Sequence, residues 1–317
     1  METLRAAVIG TGNMGKNHVR VYSELPGVKL VGVSDVNVES AQTLAKQHGC
    51  SAYKDYKDML ATEKPDVVSV VVPTALHAKI GCDVLTKASA LVEKPIAFNE
   101  KDGNALIKAS RGGHKLMVGH IERFNPVVKY LQDFAAKDEF LAFNIMRLGP
   151  YIPKVRTTGV LLDMGIHDID LVRYLTQSEP VFVSASYRHV KITDFEDHAH
   201  VFMRMPSCDA SLISNWISPR KIRHMYAVTQ KSFYYVDYVT QEITAYEREE
   251  GYDPWKEGGE AKRIALEKKE PLKEELTDWL DAIRKGKPAP ITGEDAFESL
   301  KVALRATRVA YESDPNE

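Results

Sequence analysis

Three groups of residues in this chain have types and spacing suited to chemistry. The first is Gly10-Thr11-Gly12-Asn13-Met14-Gly15, the pattern G-x-G-x-x-G. Gly10 permits a tight turn, Gly12 lets backbone approach a pyrophosphate, and Gly15 allows close helix–sheet packing. Asp35 lies twenty residues past Gly15, where a carboxylate accepts hydrogen bonds from a ribose diol. That carboxylate repels a 2′-phosphate, and Val36 and Asn37 offer no compensating cation, so the pattern favours NAD over NADP. The second group is Pro73-Thr74 with His77, and Glu93-Lys94-Pro95. A lysine at the mouth of a buried strand points into the crevice beyond the strand ends. It also reads as a solvated strand-end charge, and His77 as a helix-start residue. The third group is Asp163, His167 and Asp170, spaced i, i+4, i+7 on one helical face. An aspartate one turn from a histidine fixes its tautomer and stabilises the imidazolium, as a general base requires. The same spacing serves a structural histidine, a capping network or, with His198 and His200, a metal. No stretch shows a recognised metal motif, and no metal is expected.

The elements that must carry these residues follow from hydrophobic pattern. Short, Val- and Ile-rich runs at residues 4–10, 29–35, 66–73, 89–95 and 115–121 read as parallel strands covered on both faces. Helix-like stretches near 14–25, 38–48, 75–88 and 100–111 separate them, with Asn99 a plausible N-cap. Strand–helix–strand repetition predicts a doubly wound parallel sheet. After residue 121 the pattern changes. Helices are expected at 126–136 and 159–175, then strands at 181–190, 198–205, 210–217 and 233–238 without intervening helices. That is α+β with a mostly antiparallel sheet. Residues 247–269 read as a charged surface loop with a frayed helix, followed by helices at 272–284 and 294–311. The expected domains are 1–122 and 123–317.

Composition narrows the partners. In 317 residues, 42 Lys+Arg against 44 Asp+Glu leave a net charge of −2, which removes bulk attraction to nucleic acid or anionic membrane. No apolar run approaches the ~18 residues of a membrane span. Cys50, Cys82 and Cys208 form no metal or disulfide framework, so a cytoplasmic protein is expected.

Taken in order, G-T-G-N-M-G, Asp35, Glu93-Lys94-Pro95, Gly119-His120 and D-M-G-I-H-D-I-D resemble the glucose-fructose oxidoreductase / inositol dehydrogenase family over essentially the whole chain. The resemblance implies an N-terminal Rossmann domain for NAD and a C-terminal α+β domain whose open-faced sheet builds the substrate site and an oligomer interface, as a dimer or tetramer. It matches Lys94, Asp163 and His167 to the catalytic lysine, aspartate and histidine. Segments 119–126, 147–150, 166–171 and Asn215-Trp216 are similar to the branch that oxidises the 3-hydroxyl of UDP-N-acetylglucosamine. One departure is Pro73-Thr74-Ala75, where family members commonly carry a Thr-Pro-Asn turn. A nucleotide sugar needs a diphosphate handle, and Arg147, Lys154 and Arg156, or Arg220, Lys221 and Arg223, are suited to it. Arg123, Asn125 and Trp216 are further candidates for substrate contact. A free polyol or sugar dehydrogenase is the alternative, and a non-catalytic NAD-sensing regulator a third.

Overall fold

A computed structural model describes residues 3–135, 138–151, 158–192, 194–248 and 259–312. Its first unit contains β1 (Leu4–Ile9), α1 (Asn13–Glu24), β2 (Val28–Ser34), α2 (Val38–His48), β3 (Ser51–Tyr53), α3 (Tyr56–Glu63), β4 (Val67–Val70), α4 (His77–Leu85), β5 (Ser89–Glu93), α5 (Glu100–Ser110) and β6 (Leu116–Gly119). All six strands are parallel, in the order β3-β2-β1-β4-β5-β6. The order reverses between β1 and β4, and in open sheets ligands bind beyond the carboxyl ends at such a point. Ala6, Ala7, Val8, Val67, Val68, Ala90, Leu91 and Val92 are wholly buried. Strands covered on both faces have no polar face to alternate with, hence their continuous apolar runs. The pair β3–α3 was not expected. Three residues are too few to show a period, and α3 buries only Met59 and Leu60.

The second unit holds α6 (Pro126–Ala135), β7 (Phe140–Pro150), α7 (Ile166–Thr176), β8 (Phe182–Arg188), β9 (His198–Arg204), β10 (Asp209–Asn215), β11 (Ile217–Thr229), β12 (Ser232–Asp237), β13 (Glu242–Glu247) and β14 (Ala261–Ile264). They form one eight-stranded sheet, β14-β13-β12-β11-β7-β10-β9-β8, antiparallel except for β7 beside β10. Two central strands were missed by pattern. In β11 the run Ser218-Pro219-Arg220-Lys221 looks like a turn, but a register shift between Ile217 and Ile222 absorbs it as a bulge. Arg147, a charged residue in the middle of β7, hides that strand's inward face. The charged stretch expected as a loop with a frayed helix contains β14, an exposed edge strand whose Lys262 and Arg263 suit an edge. Residues 249–258 of that stretch lie outside the described residues.

The chain then returns to the first unit, contrary to the expected 123–317 block. α8 (Pro271–Arg284) and the start of α9 (Gly293–Glu312) belong there, as Leu272–Leu300 cluster with the parallel sheet. The reason is an edge that needs covering. Thr292 bridges Met117 of β6, and the Val118 N–H donates to Ile291 O at 3.2 Å. Phe297 packs so tightly over Gly103 that a Cβ there would come within 2.6 Å of its ring.

Candidate functional site

In the first unit the glycine turn behaves as its motif requires. Gly10 has φ +98°, and a Cβ there would lie 2.2 Å from Val71 O. At Gly15 a Cβ would lie 1.9 Å from Gly10 O. At Gly12 the opposite holds, since a Cβ would meet no atom within 4 Å. Space is therefore open over the start of α1, whose N-cap Gly12 supplies no side-chain hydrogen bond. Backbone N–H groups at an uncapped helix N-terminus suit a pyrophosphate. Asn13 and Met14 are exposed and half-buried beside it. The Asp35 carboxylate is oriented by three donors. Thr11 gives its backbone N–H at 2.6 Å and its hydroxyl at 2.8 Å to Oδ2, and Asn37 N–H donates to Oδ1 at 2.8 Å.

A cavity of about 610 Å³ opens here, lined by Gly10, Gly12, Asp35, Val36, Pro73 and Leu76 among others. Val36 and Leu76 are 86% and 41% exposed, apolar walls suited to a flat heterocycle. The glycines, the oriented carboxylate and these walls together fit a dinucleotide. Lys54 and Lys79 also line the cavity. Neither is adjacent to Val36 and Asn37 in sequence, since Lys54 follows β3 and Lys79 sits on α4. Thr74 begins a tight 3₁₀ turn on the same rim.

Two residues expected to touch cofactor face inward instead. His77 is 1% exposed, with Nδ1 2.8 Å from Pro95 O and Nε2 2.9 Å from Val72 O. Burial lowers its proton affinity against the pull of both carbonyls. The ring staples two strand-end loops together. Glu93 is buried too, its carboxylate 3.1 Å from His18 Nε2 and accepting the Lys94 backbone N–H at 3.2 Å. Lys94 itself stays half-buried at the end of β5, before a cis bond to Pro95.

In the second unit, residues 161–165 form a wide π turn ahead of α7, a feature frequent at functional sites. Among buried neighbours from Leu161 to Asp170, only Asp163 and His167 are partly exposed. Asp170 follows His167 by one regular turn of α7 but is turned into the core. It is 1% exposed and accepts two bonds from Arg123, at 2.7 and 2.6 Å. Glu196, missed in the sequence, caps this segment. Its carboxylate accepts the Leu161 N–H at 3.1 Å and fills the space beside Gly159, where a Cβ would lie 1.8 Å from Oε2. Burial pushes the Glu196 carboxyl up. Its distance in sequence, 35 residues across α7 and β8, concealed it.

Several basic residues expected at substrate are scaffold. Arg147 is buried and grips Asp168 through Nε and Nη2 at 2.7–3.1 Å, with Glu122 at 2.7 Å. Burial raises the Asp168 carboxyl against the opposing pull of Arg147, whose bidentate grip supplies charge-assisted hydrogen bonds. Asn125 donates to Tyr238 O at 3.1 Å, and Trp216 is buried. Arg223 donates to the backbone of Leu148 and Ile222, and burial with the charge of Arg147 lowers it to about 10. Lys221 and Arg220 are exposed on the β11 bulge. Arg156 and Lys154 lie outside the described residues. His200 pairs with Ser211 at 2.9 Å, and among the described residues no group of three His, Cys, Asp or Glu is placed to hold a metal. No helix among them is long and apolar enough to cross a membrane.

Comparison with known proteins agrees with this anatomy. Residues 4–120 match the oxidoreductase family model with an NAD-binding Rossmann fold, and residues 146–231 match the GFO/IDH/MocA C-terminal domain. UDP-N-acetylglucosamine 3-dehydrogenase of Acidithiobacillus ferrooxidans is 31% identical over 316 residues, 98% of each chain. Its solved structure superposes with a TM-score of 0.90 at 30% identity, covering 98% of this chain and 99% of that one. Inositol 2-dehydrogenase of Rhizobium meliloti is 31% identical over 194 residues, 58% of each. A levoglucosan dehydrogenase solved with NADH and levoglucosan shares the fold, with a TM-score of 0.85 at 19% identity and 98% coverage of both chains. The chain therefore belongs to the GFO/IDH/MocA family, as an oxidoreductase with an NAD-binding Rossmann domain.

Proposed function

We propose that this chain oxidises the 3-hydroxyl of UDP-N-acetylglucosamine, or of a closely related nucleotide sugar, to a ketone. The observation that carries the reading is the full-length likeness to UDP-N-acetylglucosamine 3-dehydrogenase, and the presence of Lys94, Asp163 and His167 in the sequence supports it. NAD, held by the Gly10–Gly15 turn and by Asp35, supplies the hydride acceptor. His167 takes the hydroxyl proton. Asp163, one turn away, orients the imidazole and stabilises its charge. Lys94 donates a hydrogen bond to the same oxygen and stabilises developing alkoxide character. A general base is worth about 10²–10⁴-fold, and a preorganised donor in a dry site contributes on a similar scale.

For the diphosphate, Arg223 with Arg220 and Lys221 is the remaining described cluster, since Arg123 and Arg147 are spent on aspartates. That internal pairing favours a second reading, a free polyol or sugar dehydrogenase that needs no diphosphate handle. The experiment is NADH formation from UDP-N-acetylglucosamine, its uronic acid, free N-acetylglucosamine and myo-inositol. Turnover of the nucleotide-linked sugars alone supports the first reading. Turnover of only the free compounds replaces it with the second.

An open sheet face supports assembly into a homo-oligomer. Tyr226 stacks against Phe233 and lies tilted against Tyr235, and Phe233 lies tilted against Tyr246, with centroids 5.3–5.9 Å apart. Phe233 and Tyr246 are 36% and 37% exposed, and such patches are seldom left bare. A homodimer or tetramer covers them, to be checked by light scattering. Free Cys50, Cys82 and Cys208 suit a reducing cytoplasm.

A further inference from the structure

The dinucleotide helix and the lysine turn are joined by a buried polar chain that the chemistry above does not use. Tyr22 and His18 both come from α1, Ser69 from β4 and Glu93 from the end of β5. Tyr22 OH lies 2.9 Å from Ser69 Oγ, Ser69 Oγ lies 3.0 Å from His18 Nδ1, and His18 Nε2 lies 3.1 Å from Glu93 Oε1. Tyr22 and His18 have no exposed surface, nor has Ser69.

The donor directions follow from what each group offers. An ionised carboxylate only accepts, so His18 Nε2–H donates to Glu93. With Ser69 donating to Nδ1, its hydroxyl oxygen accepts in turn from Tyr22. Every donor in the chain is matched with one polarity, from Tyr22 to Glu93. Oε2 of Glu93 receives the Lys94 backbone N–H at 3.2 Å. Gly119 leaves room for this carboxylate, since a Cβ there would lie 3.2 Å from it. His18 and Lys94 hold the Glu93 carboxyl below its ordinary range although burial alone would raise it. A second acid, Glu275 of α8, is wholly buried nearby with no hydrogen-bond partner for either oxygen among the described residues. Burial and the charge of Glu93 push its carboxyl well up.

We propose that His18 and Glu93 are positioning residues for the reaction, clamping the backbone of Lys94 to the helix that receives the dinucleotide pyrophosphate. The clamp acts through Lys94 and so rests on the reading of Lys94 as a donor to the reacting oxygen. Misplacing such a group by about 1 Å costs on the order of 10²-fold in rate.

The test is a double-mutant cycle on the full chain with NAD and UDP-N-acetylglucosamine, or whichever sugar the substrate panel identifies. His18→Leu removes the donor, His18→Gln restores an N–H near the Nε2 position, and each is also made with Lys94→Ala. His18→Leu is expected to lower kcat about 10- to 100-fold, with KM and the NAD dissociation constant moving less than about threefold. His18→Gln recovers most of that loss. In the Lys94→Ala background, His18→Leu costs nothing further, because residues acting through one group are not additive. Losses that multiply in the double variant, or wild-type turnover in His18→Leu, overturn the proposal. Wild-type turnover in Lys94→Ala overturns instead the reading of Lys94 on which it rests. Should His18→Leu fail to fold, Ser69→Ala and Tyr22→Phe take its place in the cycle under the same two criteria.

Discussion

The lysine turn of the first unit and the histidine helix of the second are held by opposite devices. Around Lys94 the holding groups form a hydrogen-bonded chain that ends on one carboxylate, Glu93, with a second buried acid, Glu275, beside it. Around His167 the holding groups are full ion pairs. Asp168 and Asp170, on the same helix, are clamped by Arg147 and Arg123. The difference decides what each half leaves for ligands. In the first unit the glycine turn, Asp35, Lys54 and Lys79 remain around an open cavity. In the second, the buried guanidiniums of Arg123, Arg147 and Arg173 are paired with carboxylates, and Arg223 is a half-buried guanidinium whose described partners are carbonyls.

Breaking an ion pair in the second unit should therefore cost far more than breaking a link in the first. Arg147→Ala leaves Asp168 buried without its partner and is expected to lose about 3–5 kcal/mol of stability, read by urea unfolding. Replacing Arg147 and Asp168 together by apolar residues should recover most of it. An equal loss in both would show that the pair's charge is not what Arg147 compensates.

Glu275 offers the next largest effect, with a definite sign. Its folded carboxyl is raised above the unfolded value. Stability tied to its protonated form is thus full at acid pH and falls as pH climbs from the ordinary carboxyl range toward the folded value. Glu275→Gln removes that dependence. The variant should gain on the native protein with rising pH, by up to about 1.4 kcal/mol per pH unit. Denaturant unfolding at a series of pH values reads this, and a constant difference would contradict it.

Arg223→Ala should raise KM for a nucleotide sugar about tenfold, in line with one lost charge-assisted bond, while leaving NAD binding and fold intact. The same KM change with a free sugar would assign Arg223 to the sugar rather than the diphosphate. The smallest effect is expected at Asp35. Asp35→Ala should shift the NADP-to-NAD affinity ratio about fivefold toward NADP, a surface-charge effect of roughly 1 kcal/mol, because Lys54 and Lys79 then face the 2′-phosphate unopposed. Isothermal titration with both cofactors measures it, and an unmoved ratio would place the two lysines out of its reach.

How far the sequence could be read depended on whether a residue's role was local. Gly10, Gly12, Gly15 and Asp35 act through a turn and the end of the next strand, so their spacing is enough. The Rossmann strands announced themselves because both faces are buried. By contrast, β11 contains a proline and three basic or polar residues at a bulge, and short β3 has no period to detect. Arg123 and Arg147 read as ligand groups because their partners, Asp170 and Asp168, lie 47 and 21 residues away. Asp170 does follow His167 by one regular turn of α7, yet Arg123 holds it in the core. Glu93 and His77 were assigned to the cofactor by position at strand ends, yet both turn inward to partners no spacing rule reaches.

The proposed mechanism has Lys94 and His167 act on one hydroxyl of the substrate. Turnover of UDP-N-acetylglucosamine by Lys94→Ala, His167→Ala and the double variant, with NAD affinity measured in each, tests it most directly. Each single variant should lose about 10²–10⁴-fold in kcat while binding NAD within about threefold of the native chain, and the double variant should be scarcely worse than the poorer single one. Near-native turnover in either single variant, or losses that multiply in the double variant, would contradict it.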